Sequence, residues 1–460
     1  MVAYEPTWES LEQHELPAWY DDAKLGIFIH WGAYSVPAWA PVTDDGEVSE
    51  SGYAEWYVRG MYDEDSDVYD YHRSTYGEEV EYTDFLEQWS ADGWDPERWA
   101  TFFDEEVGAR YVVLTAEHHD GIQLWDSDVT DWTTVERGPR RNIVGELGAA
   151  VRDRELKFAG SFHGLLNFFD PDHPGLFGHP DIDDEGHPGQ EYIAFMNEKL
   201  TELIDETQPD LLWLDGNWKA DTEEYGTKET VAYYYEQAAN EWDKEVAVND
   251  RLGADEEQTH GDFYTPEYET FDEIQEHKWE ATRGLGGSFG YNRNEPEHHY
   301  LSVAELVHSF VDIVSKNGNL LINVGPRADG TIPAIQKERL RGLGEWLAVN
   351  DEAIFGTTYW ERAEDTVASS TDVRYTWKDG TLYATLFDWV IGEQTLLDTG
   401  SDVTPSSVSL LTDSGKESVD WKHTDGAVTV DFDATPPSDH PGVAYVLALE
   451  DVANPTTASD

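Results

Sequence analysis

Between residues 20 and 350, short apolar runs alternate with longer amphipathic stretches. Most of the runs are almost continuously apolar, which is typical of parallel strands covered by helices on both faces. Eight of them are predicted strands, at residues 25–32, 110–121, 157–164, 210–216, 245–251, 260–268, 279–284 and 319–326. Strands that alternate with helices in this way predict an α/β fold, a (β/α)8 TIM-like barrel.

The barrel pattern is incomplete in one stretch. No convincing helix separates the sixth and seventh predicted strands, within residues 252–300. A doubly wound open sheet is therefore an alternative interpretation. Such a sheet usually carries a glycine-rich phosphate-binding turn after an early strand, and the sequence has none. The barrel is preferred for this reason.

The pattern changes near residue 357, where short segments of alternating polarity begin. Turn signals at Lys378-Asp379-Gly380 and Thr424-Asp425-Gly426 separate such segments, as in β-hairpins. We predict a barrel domain over residues 1–356, a small antiparallel β-sandwich over residues 357–452 and a flexible tail over residues 453–460.

The chain is extremely acidic. Its 460 residues include 29 Lys and Arg against 96 Asp and Glu, giving a formal net charge of −67. Such a surface repels nucleic acids and anionic membranes, whose binding requires cations, so the charge excludes both as partners. Hydrophobic residues make up 39% of the chain and aromatic residues 13%, which indicates a packed core rather than disorder. The charge indicates adaptation to high salt, where repulsion is screened, and an acidic mimic of nucleic acid is the alternative.

Three further features bear on location. The chain has no Cys, which excludes disulfides and thiolate chemistry. No stretch approaches 18 consecutive apolar residues, and the acidic first residues lack the basic start and apolar stretch of a signal peptide. We therefore expect a cytoplasmic protein, in a cytoplasm of high salt.

Polar side chains occur where the predicted strands end, which is where barrel enzymes place their catalytic groups. Apolar runs end at His30, at residues 117–120, at Asp215, at residues 249–251 and at Glu267. Several Trp residues fall near the same ends, and flat rings beside carboxylates suit a sugar. Glycoside hydrolysis needs two carboxyl groups across the anomeric carbon, and Asp215 and Glu267 could face one pocket. Other acids among the 96 would serve equally well on this argument alone.

The adjacent His118 and His119 raise the question of a metal ion. Neighbouring residues on a strand point to opposite faces, so the pair cannot chelate one ion without a break in the strand. Hydrogen bonding to hydroxyl groups is the expected role of both residues. We therefore expect no metal ion at this pair.

Eight segments stand out in order along residues 20–350. They are AKLGIFIHWGAYSVPAW, YAEWY, RYVVLTAEHHDGIQLWDS, LLWLDGNW, VNDRLG, DFYTPEY, KWEATRGLGGSFGYNRNE and VDIVSKNGNLLINVGPRADGTIP. Together they resemble the α-L-fucosidases of glycoside hydrolase family 29. The resemblance implies a retaining exo-hydrolase that releases α-L-fucose from a fucosylated glycan or glycoside, without a metal or organic cofactor.

The resemblance also implies roles for individual residues. Asp215 in LLWLDGNW matches the nucleophile of the family, and Glu267 in DFYTPEY matches the general acid/base. The implied sugar pocket has His30, His118 and His119 at the fucose hydroxyls, Glu55, Trp56 and Arg251 in the lining, and Trp213 and Phe289 near the fucose methyl group.

These implied roles carry physical expectations. A cation such as Arg251 would lower the pKa of Asp215 and keep it ionised for attack. Glu267 must start protonated, which burial or the neighbouring carboxylate would favour. Retention predicts that the two carboxyl groups lie roughly 5–5.5 Å apart. The methyl group of fucose needs an apolar wall, which Phe289 can supply.

The chain departs from the family after the third strand. Where the family usually carries a Tyr-Tyr-Ser-like stretch, residues 160–168 read GSFHGLLNF. We therefore expect that the pocket tyrosine of this stretch is replaced by Phe162 or His163. This departure bears on aglycone preference rather than on the reaction class.

Two other functions stay open. A non-catalytic fucose-binding protein would keep the pocket, although such a protein has no need of an acid/base pair. A retaining glycosidase for a related sugar, such as an α-L-galactoside, would meet a hydroxyl where fucose has its methyl group. The resemblance is also compatible with a homo-oligomer.

Overall fold

The computed structural model describes residues 2–43, 52–164, 189–216, 220–255, 261–367, 371–396, 403–424, 427–433, 435–436 and 442–454. Several sequence predictions concern residues outside these ranges. They are residues 455–460 of the predicted tail, residues 165–168 of the atypical segment, and Asp425 and Gly426 of the second predicted turn.

A curled parallel sheet forms the first part of the chain. Within the described residues it has seven regular strands: β1 (Leu25–Ile29), β2 (Tyr111–Glu117), β3 (Lys157–Phe162), β4 (Leu211–Leu214), β5 (Ala247–Val248), β6 (Trp279–Gly284) and β7 (Gly318–Val324). The strand order is β5-β4-β3-β2-β1-β7-β6, and each neighbouring pair is parallel. Consecutive strands are therefore neighbours and β7 returns to β1, as in a TIM-like barrel. The alternative of a doubly wound sheet is wrong.

The sixth predicted strand, residues 260–268, is not a regular strand. Its described part makes three isolated parallel bridges, Asn249–Phe263, Tyr264–Trp279 and Glu267–Thr282. Pro266 lies within this segment, and a proline has no N–H to donate to a strand ladder. The bridges nevertheless place the segment between β5 and β6, so it completes the ring that the seven strands leave open.

Helices cover the outside of the sheet. In the described residues they are α1 (Trp8–Leu11), α2 (Ala18–Ala23), α3 (Tyr57–Tyr62), α4 (Asp67–Thr75), α5 (Tyr82–Gln88), α6 (Pro96–Thr101), α7 (Ile143–Arg152), α8 (Gln190–Thr207), α9 (Thr222–Tyr225), α10 (Thr227–Gln237), α11 (Val303–Ser315) and α12 (Ala334–Asn350). π-Helical turns extend α6 and α10, at Phe102–Val107 and Ala238–Trp242. Each helix in these ranges is too short or too polar to traverse a lipid bilayer.

Alternate strand residues divide the core into two layers. Ile27 and Ile29 face outward and pack against the helices, whereas Phe28 between them points into the barrel. The inner layer also contains Tyr20 from α2, whose ring centroid lies 4.5 Å from that of Phe263. Helix α2 therefore contributes to the packed interior of the barrel just before β1 begins.

The second part of the chain is antiparallel. Its strands are β8 (Thr358–Thr366), β9 (Asp372–Lys378), β10 (Thr381–Leu386), β11 (Gly392–Leu396), β12 (Val408–Thr412), β13 (Gly415–Ser418), β14 (Asp420–Thr424), β15 (Ala427–Phe432) and β16 (Tyr445–Leu449). They form a six-stranded sheet, β13-β12-β16-β10-β9-β8, and a three-stranded sheet, β11-β15-β14. The two sheets share one apolar core, so the prediction of a TIM-like barrel followed by an antiparallel β-sandwich is confirmed.

The β9–β10 hairpin turns where the sequence predicts it. Asp379 and Gly380 have φ values of 49° and 88°, which a tight type I′ turn requires.

The sandwich packs against the barrel helices α11 and α12. Trp346 Nε1 donates a hydrogen bond of 3.0 Å to the carbonyl of Ala444, and His308 stacks on Phe387 with ring centroids 4.2 Å apart.

Candidate active site

A cavity of about 390 Å³ lies at the carboxyl ends of the barrel strands. Its lining contains all ten site residues that the sequence predicts: His30, Glu55, Trp56, His118, His119, Trp213, Asp215, Arg251, Glu267 and Phe289. The lining also contains Phe28, Tyr53, His163, Thr265, Glu269 and Thr282. Parallel strands that follow one another around a ring bring their carboxyl ends to one rim, which explains how residues far apart in sequence meet here.

Asp215 follows the last residue of β4 and is almost completely buried. Its Oδ1 accepts a hydrogen bond of 2.8 Å from Arg251 Nη1. Its Oδ2 lies 3.1 Å from His163 Nδ1 and 3.4 Å from His119 Nε2. Burial alone would raise the pKa of Asp215, but the hydrogen bonds from the two histidines and the charge of Arg251 outweigh it and hold the pKa well below its ordinary value. Asp215 is therefore ionised at neutral pH, as attack on a sugar requires.

Glu267 shares the same arginine. Arg251 Nη1 donates to Oε2 of Glu267 at 3.1 Å, and the hydroxyl of Tyr53 donates to Oε1 at 2.8 Å. Arg251 Nη1 contacts one oxygen of each carboxyl group. The distance between those two oxygens therefore cannot exceed the sum of the two hydrogen-bond lengths. This arrangement is compatible with the separation of roughly 5–5.5 Å that retaining glycosidases use.

Glu267 is the more exposed of the two carboxyl groups. Its side chain is 32% exposed, against 7% for Asp215, and both of its hydrogen bonds come from donors. The guanidinium of Arg251 is thus shared between a buried carboxyl group and a partly exposed one.

Arg251 is held rigidly below the two carboxylates. Its Nε donates to Thr265 Oγ1 and its Nη2 donates to the Thr265 carbonyl, both at 3.0 Å. The guanidinium lies 5.0 Å from the ring centroid of Trp213. Burial disfavours its charge, but Asp215 and Glu267 raise the pKa of Arg251 above its ordinary value. The cation is therefore permanent and fixed in orientation.

Four histidines surround the nucleophile: His30, His118, His119 and His163. Burial lowers the pKa of His30, His118 and His163, so these three imidazoles are neutral at pH 7. A neutral imidazole both donates and accepts, which suits it to a sugar hydroxyl. His30 Nδ1 lies 2.7 Å from Asn323 Oδ1, and this contact orients its ring.

His118 and His119 both face the cavity, because β2 already ends at Glu117. The break in the strand that chelation by both would need is thus present. Among the described residues, the donor groups that could hold a metal are His30–His118–His163 and His119–His163–Asp215, with donor atoms within 4.8 Å of one another. Neither group contains both His118 and His119. Both contain His163, whose ring nitrogens contact Ser161 and Asp215, so a metal would compete with a hydrogen bond of the nucleophile.

The remaining walls include the buried acid Glu55 and several aromatic rings. Glu55 is buried, and its Oε2 accepts a hydrogen bond of 2.7 Å from the backbone N–H of Gly290. Burial raises the pKa of Glu55 to about 7. The ring centroid of Phe28 lies 5.0 Å from that of Trp213 and 6.4 Å from that of Phe289. These three rings form an apolar corner of the cavity.

Sequence reasoning missed several residues of this site. Tyr53 stands in the segment YAEWY and contacts Glu267, but nothing in its local pattern marks it. Glu280 lies inside β6 and fixes the pocket from below, since its Oε1 accepts from Trp213 Nε1 at 3.0 Å and its Oε2 accepts from Tyr20 at 2.8 Å. A carboxylate within a predicted barrel strand is a signal that could have found it.

The atypical segment after β3 places a histidine in the pocket. The sequence leaves Phe162 and His163 as alternatives for the missing tyrosine. Phe162 belongs to the outer apolar layer, where Lys199 Nζ lies 5.7 Å from its ring centroid. His163 lines the cavity and contacts Asp215.

Buried carboxyl groups near the site predict a pH dependence of stability. Burial raises the pKa of Asp120 to about 6 and that of Glu55 to about 7. The folded state therefore holds protons that the unfolded state loses above its ordinary carboxyl pKa of about 4. From about pH 4 to pH 7, the free energy of unfolding should fall as pH rises, by on the order of 2 kcal/mol for each group.

Denaturant unfolding at several pH values checks this expectation. The experiment belongs in molar KCl, because repulsion among surface carboxylates changes with pH in the same direction and is screened there. Asp120→Asn removes one of the two titrating groups, so its profile should be flatter than that of the wild type. Parallel profiles for the two proteins would contradict the assignment to Asp120.

A buried cation shared by two carboxylates, inside a barrel rim of imidazoles and aromatic rings, is the arrangement of a glycoside hydrolase. Residues 2–352 match the family model described as alpha-L-fucosidase, and residues 364–450 match the model of the alpha-L-fucosidase C-terminal domain. The chain therefore belongs to the α-L-fucosidase family.

Individual relatives agree with this membership. The α-L-fucosidase of Dictyostelium discoideum is 33% identical over 461 residues, covering 98% of this chain and 95% of that protein. The tissue α-L-fucosidase of Homo sapiens is 33% identical over 457 residues, covering 98% of this chain and 92% of that protein. The crystal structure of Thermotoga maritima α-fucosidase with a mechanism-based inhibitor is 39% identical, has a TM-score of 0.82, and covers 97% of this chain and 100% of that one.

Proposed function

We propose that the protein hydrolyses terminal α-L-fucosides by double displacement, with Asp215 as the nucleophile and Glu267 as the general acid/base. The observation that carries this assignment is the bridge through Arg251 Nη1, which lies 2.8 Å from Asp215 Oδ1 and 3.1 Å from Glu267 Oε2. The bridge holds one buried, ionised carboxylate and one partly exposed carboxyl group together in the lining of one cavity.

Each carboxyl group has a task in both steps. In the first step an oxygen of Asp215 forms a bond to C1 of fucose, while the bond from C1 to the aglycone oxygen breaks and Glu267 gives that oxygen its proton. In the second step Glu267 takes a proton from water, whose oxygen attacks C1. The bond from C1 to Asp215 then breaks, and its electron pair returns to the carboxylate.

The walls of the cavity favour fucose over a related sugar. Its hydroxyl groups meet the imidazoles of His30, His118 and His119, and its methyl group meets the apolar corner of Phe28, Trp213 and Phe289. An L-galactoside would bury a hydroxyl in that corner without a partner, at a cost of about 1–3 kcal/mol. We therefore expect kcat/KM for fucosides to exceed that for L-galactosides by about 10- to 100-fold.

Hydrolysis of p-nitrophenyl α-L-fucoside, followed by proton NMR, tests the function. Retention predicts that α-L-fucose forms first and that the β-anomer follows only by mutarotation. Initial release of the β-anomer would contradict double displacement. A folded sample that binds fucose but releases no nitrophenol would support the non-catalytic fucose-binding alternative, and preferential cleavage of the L-galactoside would support the related glycosidase.

We also propose that the enzyme works in a cytoplasm of high salt, which the net charge of −67 supports. At low ionic strength the carboxylates repel one another across the surface, and at molar salt the Debye length falls to about 3 Å. Activity and melting temperature should therefore both rise as KCl increases from about 0.1 to 4 M.

A control separates screening from general stabilisation. Sucrose strengthens burial without supplying ions, so it should restore little of the stability lost at low salt. Full activity and an unchanged melting temperature at 0.1 M KCl would contradict the proposed adaptation and leave the catalytic assignment intact.

A further inference from the structure

We propose that His163, held by Ser161, is a positioning residue that speeds the departure of Asp215 from fucose in the second step. The proposal rests on the proposed function, because it assumes that Asp215 is the nucleophile. It concerns the segment in which this chain departs from the family pattern.

The hydrogen bonds around His163 define its tautomer. Its Nδ1 lies 3.1 Å from Asp215 Oδ2 and its Nε2 lies 3.0 Å from Ser161 Oγ. An ionised carboxylate only accepts hydrogen bonds, so Nδ1 carries the proton and donates it. In the neutral ring Nε2 must then accept, and the hydroxyl of Ser161 is its donor. All three residues are buried, so water does not replace these contacts.

The ring of His163 is also fixed in orientation. It stacks on Trp213, with centroids 5.7 Å apart and planes inclined by 21°. Its backbone N–H donates to the carbonyl of Glu117 at 2.9 Å, and its own carbonyl accepts from His119 Nδ1 at 3.0 Å. The donor that faces Asp215 is therefore preorganised, and reaction requires no rearrangement to use it.

A fixed donor to Asp215 slows the first step and accelerates the second. Its hydrogen bond to Asp215 is strongest when the carboxylate carries a full negative charge. The first step consumes that charge as the bond to C1 forms, whereas the second step restores it as the bond breaks. Arg251 also stabilises the charge, but it is shared with Glu267. His163 and His119 both contact Asp215 Oδ2, and His163 is the nearer of the two, at 3.1 Å against 3.4 Å.

Two variants of similar size distinguish the effect of the hydrogen bond from the effect of the side chain's shape. His163→Leu has no donor, whereas His163→Asn can place an amide N–H near the position of Nδ1. The substrate is 2,4-dinitrophenyl α-L-fucoside, whose leaving group departs without help and makes the second step limiting. For His163→Leu we expect kcat to fall about 10- to 100-fold, while kcat/KM changes only a few-fold and KM falls with kcat.

The same variant should accumulate the covalent intermediate. A burst of dinitrophenolate, and a fucosyl adduct in the mass spectrum of the intact protein, are the expected signatures of His163→Leu. His163→Asn should restore kcat to within a few-fold of the wild type. Ser161→Ala should show the same pattern with a smaller loss, because a ring with its proton on Nε2 then competes with the productive tautomer.

Equal losses in kcat and kcat/KM for His163→Leu, with no burst and no adduct, would overturn the proposal. Should His163→Leu not fold, Ser161→Ala and His163→Asn still decide: an unchanged kcat for Ser161→Ala, or a loss of kcat/KM equal to that of kcat for His163→Asn, would also overturn it. A wild type that cleaves no fucoside would instead refute the proposed function, so the two failures are distinguishable.

Discussion

Asp215→Ala is expected to lower kcat for p-nitrophenyl α-L-fucoside by about 10⁴-fold, with the fold intact. Without the carboxylate no ester to C1 can form, and Arg251 is left beside an empty space. The measurement is nitrophenol release at high salt, with circular dichroism of the same sample as the check on folding.

Added azide turns this loss into a positive test. The anion fits the space of the missing carboxylate and carries the charge that Arg251 and His163 stabilise. It should attack C1 from the face that Asp215 occupied and yield β-L-fucosyl azide, the inverted product. A retained α-configured product, or substantial hydrolysis without azide, would show that another acid is the nucleophile.

Asp120→Asn is the matched control for this variant. Asp120 is also a buried aspartate beside the site, next in sequence to His119, but it does not line the cavity. Its carboxylate accepts from Tyr82 at 2.7 Å and from the N–H of Ile122 at 3.2 Å. Its loss should change stability and leave kcat within about tenfold of the wild type.

Much of this site follows from the sequence because a parallel barrel has one catalytic rim. Once LLWL is a strand, Asp215 must stand at its carboxyl end, and the same reasoning places His30 after β1. The pattern that identifies a strand also identifies the residue that follows its carboxyl end. This is why the candidates that end apolar runs line one cavity.

The contacts that tune the site do not follow from local pattern. Tyr53 is 214 residues away from Glu267, and His30 is 293 residues away from Asn323, yet each pair shares a hydrogen bond. These pairs form only when the ring closes. The sixth predicted strand was placed correctly in the ring but is irregular, because Pro266 interrupts its ladder.

The histidine pair shows how two residues of strand length change an interpretation. Extending β2 through His119 would send His118 and His119 to opposite faces. The strand ends at Glu117, and both imidazoles face the sugar pocket. Sequence periodicity locates a strand more accurately than it locates the strand's last residue, and the active site begins at that last residue.

Glu267→Ala is expected to show a loss that depends on the leaving group. A sugar aglycone leaves only when protonated, so kcat/KM for a natural fucoside should fall by about 10²- to 10⁴-fold. For 2,4-dinitrophenyl α-L-fucoside the first step needs no acid, and kcat/KM should change little. Its kcat should still fall, because water then attacks the intermediate without a base.

Azide distinguishes Glu267 from Glu55, another glutamate of the pocket. Azide needs no base, so with Glu267→Ala it should restore kcat and give α-L-fucosyl azide, the retained product. Burial raises the pKa of Glu55 to about 7, but Glu55 is fully buried and its Oε2 accepts a hydrogen bond from the N–H of Gly290. Glu267 is the more exposed carboxyl, as a group that must reach a departing aglycone has to be. Rescue by azide of Glu55→Gln instead of Glu267→Ala would transfer the acid/base role to Glu55.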